Sequence, residues 1–237
     1  MTKFKQIEMK KRFLAVMATL FAAILCGQTA FCQDWPNLER YREANESLLQ
    51  QPAPKDRVVF MGNSITDNWF KFHPEFFNEN NFVGRGISGQ TTPQMLVRFR
   101  QDVVALSPKY VVILAGTNDI AGNTGYSSLE MIMDNLKSMC DIAKANKIKP
   151  ILCSVLPAYR YSWKKSVRPD ELIPQLNELI EAYAKANRIT YVDFFTPLVD
   201  NSPENRNGLP KKYSPDGVHP NMEGYAIMEK IILDVLK

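Results

Sequence analysis

The sequence predicts a three-layer α/β/α domain built around a five-stranded parallel sheet. Three observations carry that prediction. Short apolar runs alternate with segments of helical period five times along the chain. One of those runs, Tyr110-Val111-Val112-Ile113-Leu114-Ala115, shows no polar alternation, as a strand covered on both faces requires. The size and balance of the chain, 237 residues with 45% hydrophobic and 23% charged, suit one domain with a substantial core.

The elements follow in order. Residues 35–50 read as an amphipathic helix, ended by Pro52-Ala53-Pro54 before a first strand over 57–61. A second strand is expected over 82–87. Thr92-Pro93 then opens a helix running to about residue 105, with Leu96, Phe99, Val103 and Leu106 at helical spacing. After the third strand, at 110–115, come a helix over 127–147, a strand over 150–155, a helix over 170–187, a strand over 189–194 and a last helix over 222–236. The longest irregular stretch, 196–219, has a length that usually signals function.

In such sheets ligands sit beyond the carboxyl ends of the strands, where the winding reverses. With the flavodoxin-like order 2-1-3-4-5, the first strand lies between the second and third. Gly62-Asn63-Ser64 would then be flanked by Gly89, after the second strand, and by Gly116-Thr117-Asn118-Asp119, after the third.

Gly84, Gly86 and Gly89 fit the spacing G-x-G-x-x-G of a dinucleotide loop. Two facts oppose that reading: the glycines follow the second strand rather than the first, and no acidic residue ends the next strand. Gly84 and Gly86 read instead as turn or strand-packing glycines.

A serine becomes a nucleophile only beside a base, and the chain has two histidines, His73 and His219. His219 sits in Asp216-Gly217-Val218-His219-Pro220, where a carboxylate three residues earlier can fold back across a glycine turn and fix the ring. His73 lies among Phe70, Phe72, Phe76 and Phe77 and reads as a packed or pocket-rim residue. Singly, Ser64 could be a helix cap and Asn118-Asp119 a turn pair. Their combination points to an enzyme.

Taken together, Gly62-Asn63-Ser64, Gly89, Gly116-Thr117-Asn118-Asp119 and Asp216-x-x-His219 resemble, in order, the four blocks of the SGNH hydrolases, the superfamily of the GDSL esterases and lipases. The resemblance implies Ser64 as nucleophile, His219 as base and Asp216 as the acid orienting it. Ser64, Gly89 and Asn118 would be oxyanion donors. It implies a carboxylic ester hydrolase acting on a small-molecule or glycan ester, with no metal and no organic cofactor. Asn63 stands where the family more often has aspartate, and reads as a variation in loop hydrogen bonding.

Lys10, Lys11 and Arg12 precede an apolar run from Phe13 to Cys26, too short to span a bilayer comfortably. Residues 1–32 therefore read as a signal peptide cleaved after Ala30-Phe31-Cys32, with Met9 a fitting start, and 33–237 as the catalytic domain. Lipid attachment at Cys26 is disfavoured by the bulky Leu25 before it. The expected location is secreted or periplasmic. Residues 1–32 hold five bases and one acid, which leaves 24 bases against 24 acids in the mature chain. This neutrality argues against nucleic acid or anionic membrane as partner, and no integral membrane segment is expected after signal removal. Cys140 and Cys153, both in apolar segments, read as buried thiols rather than a disulfide.

Short acyl groups, acetyl above all, on a carbohydrate-like alcohol are the expected substrate. No strongly apolar lid segment is visible, and the loop 157–165 alternates aromatic with hydrogen-bonding residues. A lipid-directed acylhydrolase is one alternative. The other is a catalytically silent carbohydrate-binding protein stacking sugars on Trp69, Tyr159, Tyr161 and Trp163.

Overall fold

The computed structural model describes Glu8, residues 12–14 and residues 34–237. The chain divides into two compact units, residues 1–34 and 35–237. In the first, Glu8 and residues 12–14 are helical and exposed. The expected cleavage site at residues 30–32 and Cys26 lie outside the described residues. Among the described residues, no helix is long and apolar enough to cross a membrane.

The second unit opens with a 3-10 turn, Leu38–Tyr41, and α1, Arg42–Leu49. Then come β1 (Val58–Gly62), α2 (Ser64–Phe72), α3 (Pro74–Glu79), β2 (Phe82–Gly86), α4 (Thr92–Asp102), β3 (Tyr110–Leu114) and α5 (Thr117–Ile120). The remainder is α6 (Leu129–Ala145), β4 (Lys149–Cys153), α7 (Pro169–Ala186), β5 (Thr190–Val192), α8 (Phe195–Leu198) and α9 (Met222–Leu236). The sheet order is β2-β1-β3-β4-β5, with every pair parallel, as the alternation predicts.

Two local departures have physical causes. The first helix begins later than residue 35, because Pro36 and a left-handed Asn37 (φ 55°) turn the chain before it. The segment between β1 and β2, for which no helix was expected, holds both α2 and α3. Pro74 separates them: it has no N–H to continue the first helix and drives His73 out of helical geometry, to φ −130° and ψ 57°.

Each strand feeds two cores through the alternation of its side chains. Val59, Met61, Val111, Ile113 and Leu152 face α4, α6 and α7, meeting Phe99, Leu136 and Leu176. Val58, Phe60, Val112, Leu114 and Ile151 face the other way, against Trp69 and Phe77 of α2 and α3 and Tyr225 and Ile232 of α9. Trp69 stacks between Phe76 and Tyr225 and is 1% exposed, so it is core and not a sugar-stacking surface. Cys140 and Cys153 are free and buried, and burial pushes the Cys140 thiol up to about 12 and that of Cys153 upward as well.

The register sets the site. Gly62 pairs with Gly86 on one side and with Leu114 on the other, so the three strands end level. The loops that follow leave the sheet along one edge.

Candidate active site

Ser64 is the first residue of α2, one position inside the helix entrance and not its cap. Asn63 caps that helix, its Oδ1 accepting the Ile65 N–H at 3.2 Å, which is the local hydrogen-bonding role expected of it. From the other side of the helix, the Tyr225 hydroxyl donates to the Ile65 carbonyl at 2.8 Å. The Gly62 carbonyl, two residues before Ser64, accepts from the Ile87 N–H at 3.1 Å and from Arg98 Nη2 at 3.0 Å. Ser64 is thus presented by a strand end and a helix start that are both tied down. The helix N-terminus places partial positive charge beside it.

His219 reaches Ser64 from the segment between α8 and α9. Its Nε2 lies 2.9 Å from Ser64 Oγ, and its Nδ1 lies 2.7 Å from Asp216 Oδ2. Gly217, at φ +78°, lets the chain reverse between acid and ring. Asp216 Oδ1 accepts the backbone N–H groups of Val218 at 2.9 Å and His219 at 2.8 Å. Partial burial pushes the Asp216 carboxyl upward, but the bonds from His219 and Val218 outweigh it and hold the group below the usual carboxylate range. An ionised Asp216 accepts from Nδ1–H, which leaves Nε2 to accept from the Ser64 hydroxyl. This is the geometry a base needs to take a serine proton.

Gly89 and Asn118 flank the serine from the neighbouring loops. Gly89 is exposed at φ +81°, and a Cβ there would meet no atom within 4 Å, so its conformation calls for glycine and its surroundings are open. A Cβ at Gly86 would instead lie 2.1 Å from the Asp67 backbone nitrogen, which makes Gly86 the residue that lets α2 pack on β2. Asn118 is buried; one N–H of its amide goes to the Gln90 carbonyl at 2.9 Å, and the other meets no acceptor among the described residues.

Two buried residues support this arrangement: Arg98, which the sequence did not single out, and Asp119, which it read only as part of the block after the third strand. Arg98 bonds Gly62 O, Gln90 Oε1 at 2.6 Å and Asp102 at 3.0 Å, so one guanidinium ties the serine loop to the Gly89 loop. Its signal was present: Arg98 and Asp102, four residues apart, share the buried face of α4 with Met95 and Phe99. Asp119 accepts from the Thr92 N–H and hydroxyl, the latter at 2.6 Å, and so joins α5 to the start of α4. Burial raises its carboxyl to about 6 against the lowering effect of those bonds.

His73 is buried, with Nδ1 2.9 Å from Glu229 Oε1, which also accepts from the Trp69 indole at 3.0 Å. It is a packed residue. Tyr161 is fully buried and bonds Thr117 Oγ1, so of the aromatics in the 157–165 loop Trp163 is exposed, Tyr159 half-buried and Tyr161 core. A hollow of about 430 Å³ lies beside the Asn118 turn, lined by Asp119, Gly122, Tyr126, Lys164, Arg168 and Leu172 among others. Among the described residues, no group of three His, Cys, Asp or Glu side chains could hold a metal ion.

A model of the GDSL-like Lipase/Acylhydrolase family matches residues 60–227, from within β1 to within α9. The chain belongs to this family. The crystal structure of a GDSL-like lipase from Bacteroides thetaiotaomicron is 50% identical, with a TM-score of 0.81 over 85% of this chain and 97% of that one. A structure from Bacteroides fragilis is 47% identical at the same TM-score, covering 86% and 97%. An acetylxylan esterase of Xylanibacter ruminicola is 27% identical over 230 residues, 80% of this chain and 45% of that enzyme. The chain spans less than half the length of the curated relatives it matches. As a GDSL-like acylhydrolase, the domain has carboxylic ester hydrolysis as its reaction class.

Proposed function

We propose that this GDSL-like domain is a secreted serine esterase that removes short acyl groups, acetyl above all, from a carbohydrate-like alcohol. The observation that carries the reading is the linked pair of contacts from Asp216 through His219 to Ser64, at 2.7 and 2.9 Å. His219 takes the Ser64 proton as Oγ attacks the ester carbonyl. The oxyanion that forms is held by the N–H groups of Ser64 and Gly89 and by the free amide N–H of Asn118. His219 then gives its proton to the departing alcohol, and water, activated by the same ring, hydrolyses the acyl-enzyme.

The acetyl-carbohydrate half rests on different observations. The likeness to an acetylxylan esterase supports it. So does Trp163, 48% exposed and stacked at 5.0 Å on Tyr161, which offers one flat face backed by the core. The basic and apolar start of the chain, read as a signal peptide, supports a location where acylated polysaccharides are met. Labelling with a fluorophosphonate followed by peptide mass spectrometry tests the mechanism: an adduct on Ser64 is expected, and its absence from an active preparation would overturn it.

A further inference from the structure

We propose that Asn123 is a positioning residue for the oxyanion hole, holding the peptide plane next to the Gly89 N–H. This inference rests on the oxyanion role given to Gly89 above. Among the described residues, that N–H has no acceptor, while both ends of the following peptide are fixed. Its carbonyl, Gly89 O, accepts from Asn123 Nδ2 at 3.2 Å, and its nitrogen, Gln90 N, donates to Ile87 O at 3.3 Å. A glycine at φ +81° with no neighbour to its missing Cβ has little of its own to fix the orientation of its N–H. The restraint has to come through the adjoining plane, and Asn123 supplies its carbonyl end.

Asn123 is itself held from both sides. Its backbone N–H donates to the Asn118 carbonyl at 3.0 Å, so it belongs to the same turn as the other oxyanion donor. Its Oδ1 accepts the Trp163 indole N–H at 3.3 Å. That second bond orients the amide so that Nδ2, not Oδ1, faces Gly89. One side chain thereby connects the Gly89 loop, the Asn118 turn and the exposed indole of the 157–165 loop. Sequence spacing gave no sign of it, because Asn123 lies in a polar turn, Gly122-Asn123-Thr124-Gly125, of ordinary composition.

The test compares Asn123→Ala and Asn123→Asp with wild type on p-nitrophenyl acetate. Aspartate keeps the oxygen for Trp163 but has no donor for Gly89 O, so both variants should lose kcat by about three- to tenfold, the weight of one exposed hydrogen bond, with KM little changed. Affinity for phenylboronic acid, whose tetrahedral adduct on Ser64 needs the same donors, should fall by a similar factor. Unchanged kcat in Asn123→Asp, or a loss confined to KM, would overturn the proposal. If Asn123→Ala fails to fold, Asn123→Asp decides alone. Asn118→Ala separates the two levels of the argument: if it too leaves kcat untouched, the oxyanion reading itself fails, whereas a large loss there beside intact Asn123 variants sinks only the role of Asn123.

Discussion

Asp216 holds His219 twice, once at the ring through Oδ2 and Nδ1 at 2.7 Å and once at the backbone through Oδ1 and N at 2.8 Å. One carboxylate thus fixes both the tautomer of the base and the turn that delivers it. Asp216→Asn should therefore lower kcat by roughly 10² to 10⁴, since the amide keeps an acceptor for the turn but can present a donor to Nδ1 and favour the wrong tautomer. Steady-state kinetics on p-nitrophenyl acetate check this. A loss under about threefold would mean that another group orients the ring.

Ser64→Ala and His219→Ala should each reduce ester hydrolysis by at least about 10⁴-fold while leaving the fold intact. The Ser64 hydroxyl pairs with His219, and alanine is a good residue for a helix start that Asn63 already caps. Circular dichroism reports the fold and a fluorogenic acetate the rate. Substantial turnover in a natively folded variant would remove Ser64 or His219 from the mechanism.

Much of this was legible before the structure. Tyr110 to Ala115 announced a doubly covered strand and the alternation a parallel sheet, and the flavodoxin-like order taken with it is the one that puts Gly62, Gly86 and Leu114 level. Ser64, Gly89, Asn118, Asp216 and His219 then fell beyond strand ends or on a fold-back turn, which local sequence can show. What it could not show were contacts between segments distant in sequence. Trp69 and Tyr161 looked like surface aromatics because composition does not say which face of a short helix or loop is covered. In the structure Tyr225, Phe194 and Thr117 cover them. Asn123 was silent for the same reason, since its side-chain partners Gly89 and Trp163 lie in other loops. For Arg98 the helical spacing to Asp102 signals burial but not its bonds to Gly62 and Gln90.

Asn118→Ala should lower kcat by roughly 10² to 10³, the effect of deleting one oxyanion donor, with a much smaller change in KM. The variant also leaves the buried Gln90 carbonyl without its partner, so a stability loss of about 1–3 kcal/mol should accompany it. A strong rise in KM at constant kcat would make Asn118 a ground-state binding residue instead.

Asp119 gives the pH prediction. A carboxyl whose folded pKa lies above its unfolded value contributes stability that is full at low pH and lost as pH rises through the folded value. Burial holds Asp119 at about 6, against 3.8 for the free group. Wild type should therefore lose about 3 kcal/mol from this group between roughly pH 4 and 6, and Asp119→Asn should not. Urea unfolding of both proteins at pH 4.5 and pH 8 measures the difference. A gap between them that does not change with pH would contradict the assignment.

The substrate prediction has two halves that can fail separately. For the acyl half, kcat/KM should be highest for p-nitrophenyl acetate and fall through butyrate, octanoate and palmitate; a rise from acetate toward octanoate would promote a lipid-directed acylhydrolase. For the alcohol half, acetate should be released from acetylated xylan or pectin fragments, and Trp163 supplies the handle. Its indole is the exposed member of the stacked pair with Tyr161, and its N–H bond to Asn123 ties it to the loop that carries Gly89. Aromatic stacking is worth about 0.5–1.5 kcal/mol, so Trp163→Ala should raise KM for an acetylated xylo-oligosaccharide by up to about tenfold. On p-nitrophenyl acetate, which has no sugar to stack, KM should stay where it was. Equal effects on both substrates would show that the indole only braces Asn123, and the sugar platform would have to be sought elsewhere, beginning with the hollow lined by Tyr126 and Lys164.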